Sequence, residues 1–280
     1  MENSRPYLQA LVKACQKMNI TFRKVDDFGN VLAIDIGGKE YYFSNTRTPL
    51  NNEAIASICL NKIYTYMLLK DELPMPKTIG YIDPKSDLDL KKYGQFNSIK
   101  EIAKNIEQEF EFPVIIKMNS GAQGMHVYKN DSFRRIVRAI KSVFNKRQKN
   151  YDFSVIAQQF IEIENEYRAI VLDGEIILLY EKVSKNKNIN LSPLHNADGK
   201  AVIIEDEEVK IKIQEIISKS PKLKDMPWIG LDVAKDFQGN WWIIELNTHP
   251  GFSYFIRDNG DEPLVEMYEK VLNRLQHGKK

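Results

Sequence analysis

The chain has 280 residues, 43% of them hydrophobic and 28% charged, the balance of a soluble globular protein with room for one large compact unit or two to three small subdomains. With 40 basic against 38 acidic side chains the net charge is +2, and the basic residues are spread along the chain. That excludes a dedicated nucleic-acid binder or a polybasic membrane binder. The opening MENSRPYLQA has no signal-peptide pattern and no apolar run is long enough to span a bilayer, so a cytoplasmic protein with no membrane partner is expected.

Residues 7–18 predict a helix, because Leu8, Leu11, Val12 and Cys15 recur at helical spacing. Strands over 20–25 and 31–43 follow, with turns at Asp27-Phe28-Gly29-Asn30 and Gly37-Gly38. The Asp27-Phe28-Gly29 triplet of protein kinases reads here as a turn, since no glycine-rich loop precedes it and no HRD sequence exists. One helical pattern covers 51–70 and stops before Pro74 and Pro76, and another covers 98–109. From about residue 111 β-branched runs take over, and Asp173-Gly174 between two of them predicts a hairpin. The basic stretch 134–149 reads as the solvated face of a helix with Phe133, Ile136, Val137, Ile140, Val143 and Phe144 turned inward. Residues 184–200 form a polar loop of functional length. A helix at 207–219, strands at 228–234 and 241–247, and a helix at 262–276 complete the chain. Cys15 and Cys59 lie in apolar-periodic segments and read as buried small hydrophobes.

The segment WIGLDVAKDFQGNWWIIELNTHPGF is the most informative. Glu245 and Asn247 are two apart on a strand and share a face. A turn centred on Gln238-Gly239 sets Asp232 opposite Glu245, whereas an odd-length loop would send Asp232 to the other face. Two carboxylates and an amide oxygen suit a hard cation such as Mg²⁺. The competing reading is three polar residues on an exposed sheet face. In VIIKMNSGAQGMHVY, Ser120, Gly121, Ala122, Gln123 and Gly124 form a flexible loop whose N–H groups can approach phosphate, with Lys117 just before it. An ordinary glycine hairpin beside a surface lysine competes with that reading. VIAQQFIEIENEYR breaks from an apolar strand into a polar turn, where exposed backbone groups can pair with an adenine edge.

In this order the pieces resemble the ATP-grasp superfamily, above all the ATP-grasp part of cyanophycin synthetase and of bifunctional glutathione synthetases, and next the ribosomal-protein glutamate ligases. The resemblance implies an α+β ATP-grasp fold, two α+β subdomains gripping ATP between antiparallel sheets, behind a short N-terminal α/β unit. The units expected are 1–50 (N-terminal), 51–110 (a helical segment), 111–161 (a lid with the glycine-rich loop) and 162–280 (a C-terminal subdomain with the metal site). By position, Lys62 and Lys117 match the phosphate lysines, and Ser120, Gly121, Ala122, Gln123 and Gly124 the lid loop. Gln159, Phe160 and Ile161 match the adenine hinge, and Glu166 the ribose ligand. Arg168 matches an arginine near the transferred phosphate, and Asp232, Glu245 and Asn247 match the metal ligands. Lys182 stands where relatives often have arginine, Gln158 and Gln159 replace an acidic hinge residue, and Asn190 loosely matches a substrate-loop asparagine.

The implied cofactors are ATP and one or two Mg²⁺, with Mn²⁺ as the alternative ion. The implied reaction joins a carboxylate to an amine through an acyl phosphate, with Arg168 and Lys182 as catalytic side chains and amino acids or peptides as partners, in a homodimer. Two alternatives are a ligase that modifies or macrocyclises a ribosomal precursor peptide and an ATP-binding regulator without turnover. With four histidines there is little material for a histidine-centred mechanism. His249 reads as a turn residue of the acceptor pocket, and Arg257 as either a carboxylate ligand or a surface arginine.

Overall fold

The computed structural model describes residues 5–86, 92–121, 124–185 and 192–278. Ala122, Gln123 and Asn190 of the sequence expectations lie outside them, as does the 186–191 part of the polar loop. The described residues form three antiparallel sheets with helices packed on them, an α+β arrangement.

At the N-terminus, helix α1 (Pro6–Lys17) buries Leu8, Leu11, Val12 and Cys15, the apolar stripe that its spacing predicts. It is followed by a three-stranded sheet of β1 (Phe22–Lys24), β2 (Val31–Ile36) and β3 (Lys39–Ser44). Asp27-Phe28-Gly29 lies in the β1–β2 turn, with Gly29 at φ +65°.

The helical pattern of 51–70 is not one helix. It divides into α2 (Glu53–Leu60) and α3 (Lys62–Leu69) at Asn61, which takes an extended conformation. Helix-internal asparagine competes for backbone hydrogen bonds and favours a cap. Here Asn61 Oδ1 accepts from Tyr64 N at 3.0 Å. Asn119, distant in sequence and just after strand Val114–Met118, accepts from Ile63 N through its side chain at 3.0 Å and from Lys62 N through its carbonyl at 3.2 Å. The break therefore leaves the first N–H groups of α3 paired and fixes Lys62 at its start.

A four-stranded sheet has the order β4 (Thr78–Ile82), β7 (Ser154–Gln159), β5 (Val114–Met118), β6 (Tyr128–Asn130). Helices α4 (Ile99–Glu109) and α5 (Phe133–Val143) cover one face, packing Ile102, Ile106, Ile136 and Ile140 on Val114, Ile116, Val155 and Ala157. The alternate residues Ile115, Lys117, Ile156 and Gln158 point to the opposite face.

The largest sheet has the order β10 (Lys200–Ile203), β9 (Glu175–Val183), β8 (Ile163–Leu172), β11 (Trp228–Asp236), β12 (Trp241–Asn247). The β8–β9 hairpin turns at Asp173 (φ +49°) and Gly174 (φ +91°), the left-handed pair that a two-residue turn demands. One face packs Ala169, Val171, Leu179, Ile229, Leu231, Val233 and Ile243 against α6 (Glu207–Ser218) and α7 (Pro221–Lys224). The other face is divided. At one end Ile170, Leu178, Tyr180 and Trp228 join the core of α1, α8 (Ser253–Asn259) and α9 (Glu262–His277). At the other end charged side chains line an open cleft. Strands β4 and β10 and helices α7 and α8 go beyond the elements read from the sequence. Both cysteines are free and buried, and no helix among the described residues is long and apolar enough to cross a membrane.

Candidate active site

The cleft lies between the four-stranded and five-stranded sheets and has a volume of about 460 Å³, within the range of small-ligand sites. Strand pairing sets its floor. Asp232 stands opposite Glu245 on one side and opposite Arg168 on the other, and Arg168 stands opposite Tyr180. Glu245, Asp232, Arg168 and Tyr180 thus make one transverse row across four strands. Lys182 is two residues from Tyr180 on β9, so it shares the face, as Glu166 does with Arg168 on β8.

The Asp232–Glu245 pairing arises by a different route from the even-length turn that the sequence reading required. Gly239 (φ +83°) closes an odd loop, with Asp236 N bonded to Asn240 O, and near the loop the register is Val233↔Ile243 and Lys235↔Trp241. By itself this register would turn Asp232 away from the face of Glu245. A β-bulge between the Asp232 and Val233 pairs leaves Ile244 as an extra residue on β12 and restores the match. Consequently Ile244 and Glu245, neighbours in sequence, both line the cleft.

Asp232 is 8% exposed and its carboxylate is fully engaged. Arg168 donates through Nε to Oδ1 and through Nη2 to Oδ2 at 3.0 Å, and Lys182 Nζ donates to Oδ1 at 2.6 Å. Lys182 also reaches Glu166 Oε1 at 2.7 Å. Burial would raise the Asp232 pKa, but the Arg168 and Lys182 charges overcome it and hold the group at about 2. Burial raises the Glu166 pKa despite Lys182. Lys182 is itself raised, because Asp232 and Glu166 outweigh its desolvation.

Lys117 is different. It is 6% exposed, and among the described residues its ammonium has no hydrogen-bond acceptor. Burial pushes its pKa down to about 8 against the attraction of Glu245. A buried ammonium without a partner is costly and fits an anionic ligand. Lys62 Nζ donates to Gly121 O at 2.5 Å and stands 3.4 Å from Glu245 Oε1, so it links the glycine loop to strand β12.

Gly121 and Gly124 line the cleft, whereas Ser120 does not. The Ser120 N–H and hydroxyl both donate to Asp152 Oδ2, at 2.9 and 2.7 Å, which anchors the start of the loop. Gln158, Gln159, Phe160 and Ile161 line one end of the cleft with Ile115 and Ile244. The Gln159 N–H is committed to Lys77 O, and Lys129 Nζ sits 3.9 Å over the Phe160 ring. The other end is lined by Arg5, Tyr7, Thr46, Leu194, His249 and Tyr254. Thr46 donates to His249 O, which draws the N-terminal unit onto the turn after β12. Burial, aided by Arg47, lowers the His249 pKa. Arg257 lies outside the cleft lining. It pairs with Asp258 and donates to Gly199 O, pinning the described part of the polar loop.

Asn247 lines the cleft beside Glu245 and pairs in register with Gly230. A side chain at Gly230 would put a Cβ 2.9 Å from Pro250 Cβ and 3.4 Å from Arg168 Cδ, so glycine lets those groups approach. No group of three His, Cys, Asp or Glu side chains is placed to hold a metal by itself among the described residues. The donor chemistry nevertheless fits Mg²⁺: two carboxylates and an amide oxygen on one face, with cations beside them suited to phosphates that complete the coordination.

The pattern that defines the RimK-like ATP-grasp domain matches residues 75–271. The chain belongs to the RimK-like ATP-grasp family. The chain is 24% identical over 215 residues to the coenzyme gamma-F420-2:alpha-L-glutamate ligase of Methanocaldococcus jannaschii, covering 74% of this chain and 68% of that protein. It is 26% identical over 217 residues to the D-alanine–D-alanine ligase of Borrelia hermsii, covering 71% of this chain and 54% of that one. Among solved structures, the bifunctional glutathione synthetase of Pasteurella multocida superposes with a TM-score of 0.54 at 15% identity, over 95% of this chain and 43% of that one. The chain thus spans about half to two thirds of the length of these curated relatives. The ATP-grasp fold explains the two facing sheets, which are the jaws of the cleft.

Tyr180, Asn119 and Asp152 are not among the residues that the sequence pattern singles out. The signal for Tyr180 is its spacing, two residues before Lys182 on a predicted strand. Asn119 and Asp152 act through contacts 56 and 32 residues away, which local pattern does not reveal.

Proposed function

We propose that this ATP-grasp protein is a ligase that joins a carboxylate to an amine through an acyl phosphate. The observation that carries the reading is the single cleft in which Lys62, Lys117, Arg168 and Lys182 surround Asp232, Glu245 and Asn247. Four cations are too many for three acidic side chains (Glu166, Asp232, Glu245) and fit a polyphosphate. Glutamate and D-alanine ligation by relatives of this family agrees with it.

In this reading Gln159, Phe160 and Ile161 border the base, and Glu166 holds the ribose. Lys62, Lys117, Lys182 and the N–H groups of the glycine loop hold the phosphates. Asp232, Glu245 and Asn247 hold one or two Mg²⁺. When bound, Mg²⁺ neutralises charge on the phosphoryl group being transferred. A substrate carboxylate oxygen bonds to the γ-phosphorus as its bond to ADP breaks. The amine then bonds to the acyl carbon, loses a proton, and phosphate leaves. Arg168 steadies the oxygen that becomes negative during the attack. The loop and the opposing sheet keep water from the acyl phosphate.

A second reading concerns the acid or amine. The far end of the cleft opens past the exposed Gly251, Ser253 and Tyr254, which favours a peptide as readily as a free amino acid. ADP release from Mg·ATP, screened against amino acids, dipeptides and peptides with mass detection of the product, tests both. Tight Mg·ATP binding without ADP release in the whole screen would replace the ligase by a nucleotide-binding regulator.

A further inference from the structure

Tyr180 is 1% exposed, yet it lines the cleft. Its ring is fixed against Phe255, with centroids 4.9 Å apart. Among the described residues its hydroxyl has no hydrogen-bond partner. The ring packing against Phe255 needs a phenyl group only, and the residue borders the open cleft, so the hydroxyl is available to a ligand there. The core therefore does not explain the hydroxyl.

Its position supplies the explanation. Tyr180 occupies the same row as Arg168, Asp232 and Glu245, one strand beyond Arg168 and on the side away from Glu245. With strands about 4.8 Å apart, that places its backbone about 14 Å from that of Glu245 and about 5 Å from that of Arg168. Leu194, His249 and Tyr254 line the same cleft. Arg168 has turned Nε and Nη2 toward Asp232. What remains of its fork is chiefly Nη1, so a carboxylate lying there calls for a second donor. Burial raises the phenol pKa although Arg168 and Lys182 oppose it, which keeps the proton on the oxygen at neutral pH.

We propose that Tyr180 is a catalytic residue whose hydroxyl donates a hydrogen bond to the substrate carboxylate beside Arg168, and to the oxygen that becomes negative when the amine attacks. The inference rests on the ligase reading and extends it to a residue on β9. It makes the acid-binding centre a pair, a charged fork and a neutral donor on adjacent strands, set one strand away from Asp232.

The test uses Tyr180→Phe, which keeps the ring and its packing. Wild type and variant are given Mg·ATP, hydroxylamine as the amine, and a panel of amino acids, dipeptides and dicarboxylic acids. Hydroxamate, ADP, Mg·ATP affinity and the melting temperature are measured. The expected result is hydroxamate formation about 100-fold slower at saturating acid, the loss typical of one missing oxyanion donor. Mg·ATP affinity should stay within about twofold and the fold should melt as before, since a phenyl ring fills the same site. A variant that forms hydroxamate at the wild-type rate overturns the role of Tyr180 and leaves the ligase reading standing. So does a variant that loses rate only because it melts early or no longer binds Mg·ATP. A wild-type protein that binds Mg·ATP but yields neither hydroxamate nor ADP across the panel overturns both, and is distinguished by the silence of the wild type itself.

Discussion

Asp232 faces Glu245 across β11 and β12 because β12 carries one residue, Ile244, that β11 does not match. The bulge converts an odd hairpin loop into an even offset at the carboxylates. It also turns Ile244 into the cleft next to Glu245, so a single inserted residue serves both the acidic centre and the apolar end of the site.

The two carboxylates should respond differently to neutralisation. Glu245 is part-exposed and meets Lys62 only at 3.4 Å, so Glu245→Gln should abolish Mg·ATP-dependent turnover while the urea midpoint hardly moves. Asp232→Asn should abolish turnover too, but it takes the counter-ion from buried Arg168 and leaves Lys182 with Glu166 alone, and should cost about 3–5 kcal/mol of stability. Acid titration adds a check. The folded pKa of Asp232, about 2, lies below its unfolded value of about 3.9, so its contribution is complete above pH ~4 and disappears as pH falls toward 2. Urea unfolding at pH 5 and at pH 2.5 should differ more for wild type than for Asp232→Asn.

Lys117 has its pKa lowered to about 8, so its charge fades as pH rises through that value. The Mg·ATP dissociation constant of the wild type should increase above pH 8, and Lys117→Met should bind about tenfold more weakly below pH 8 and show a flatter profile. For the fold the sign is opposite. The unfolded lysine binds its proton more tightly than the folded one, so this residue's penalty diminishes as pH rises from 8 toward about 10.4. Calorimetric titrations between pH 6.5 and 9.5 check the binding prediction.

Asn119, just after β5 of the four-stranded sheet, joins that sheet to the helix that carries Lys62. Asn119→Ala leaves the Ile63 N–H without its acceptor and should cost about 1–3 kcal/mol. Because the start of α3 positions Lys62 against Gly121 and Glu245, the apparent KM for ATP should also rise, by about tenfold, while Asn61→Ala lowers stability by about 1 kcal/mol. Steady-state kinetics with varied ATP, together with thermal melts of the two variants, separate these effects.

Much of this site was legible in the sequence because it is written in strand alternation. Lys117 before the glycine loop, Glu166 with Arg168, Lys182, and Glu245 with Asn247 all sit on strands whose period decides their face, and all line one cleft. The Asp173-Gly174 turn was equally plain, since its left-handed residues are the sequence signal. What escaped were events that depend on distant partners. Asn61 ends α2 where helical spacing runs on, helped by Asn119 just after β5. Ser120 turns to Asp152 instead of the cleft. The bulge at Ile244 leaves no local mark, because apolar Ile243 and Ile244 are interchangeable in pattern and only packing decides which one points inward.

The central claim is that a carboxylate receives the γ-phosphoryl group at the Asp232–Glu245–Asn247 centre. Its most direct test is transfer of heavy oxygen from a mixture of amino acids and dipeptides labelled with ¹⁸O in their carboxyl groups, incubated with Mg·ATP and followed by mass analysis of released phosphate. The account predicts phosphate carrying one ¹⁸O from the wild type and none from Glu245→Gln. Release of ADP with unlabelled phosphate would contradict it.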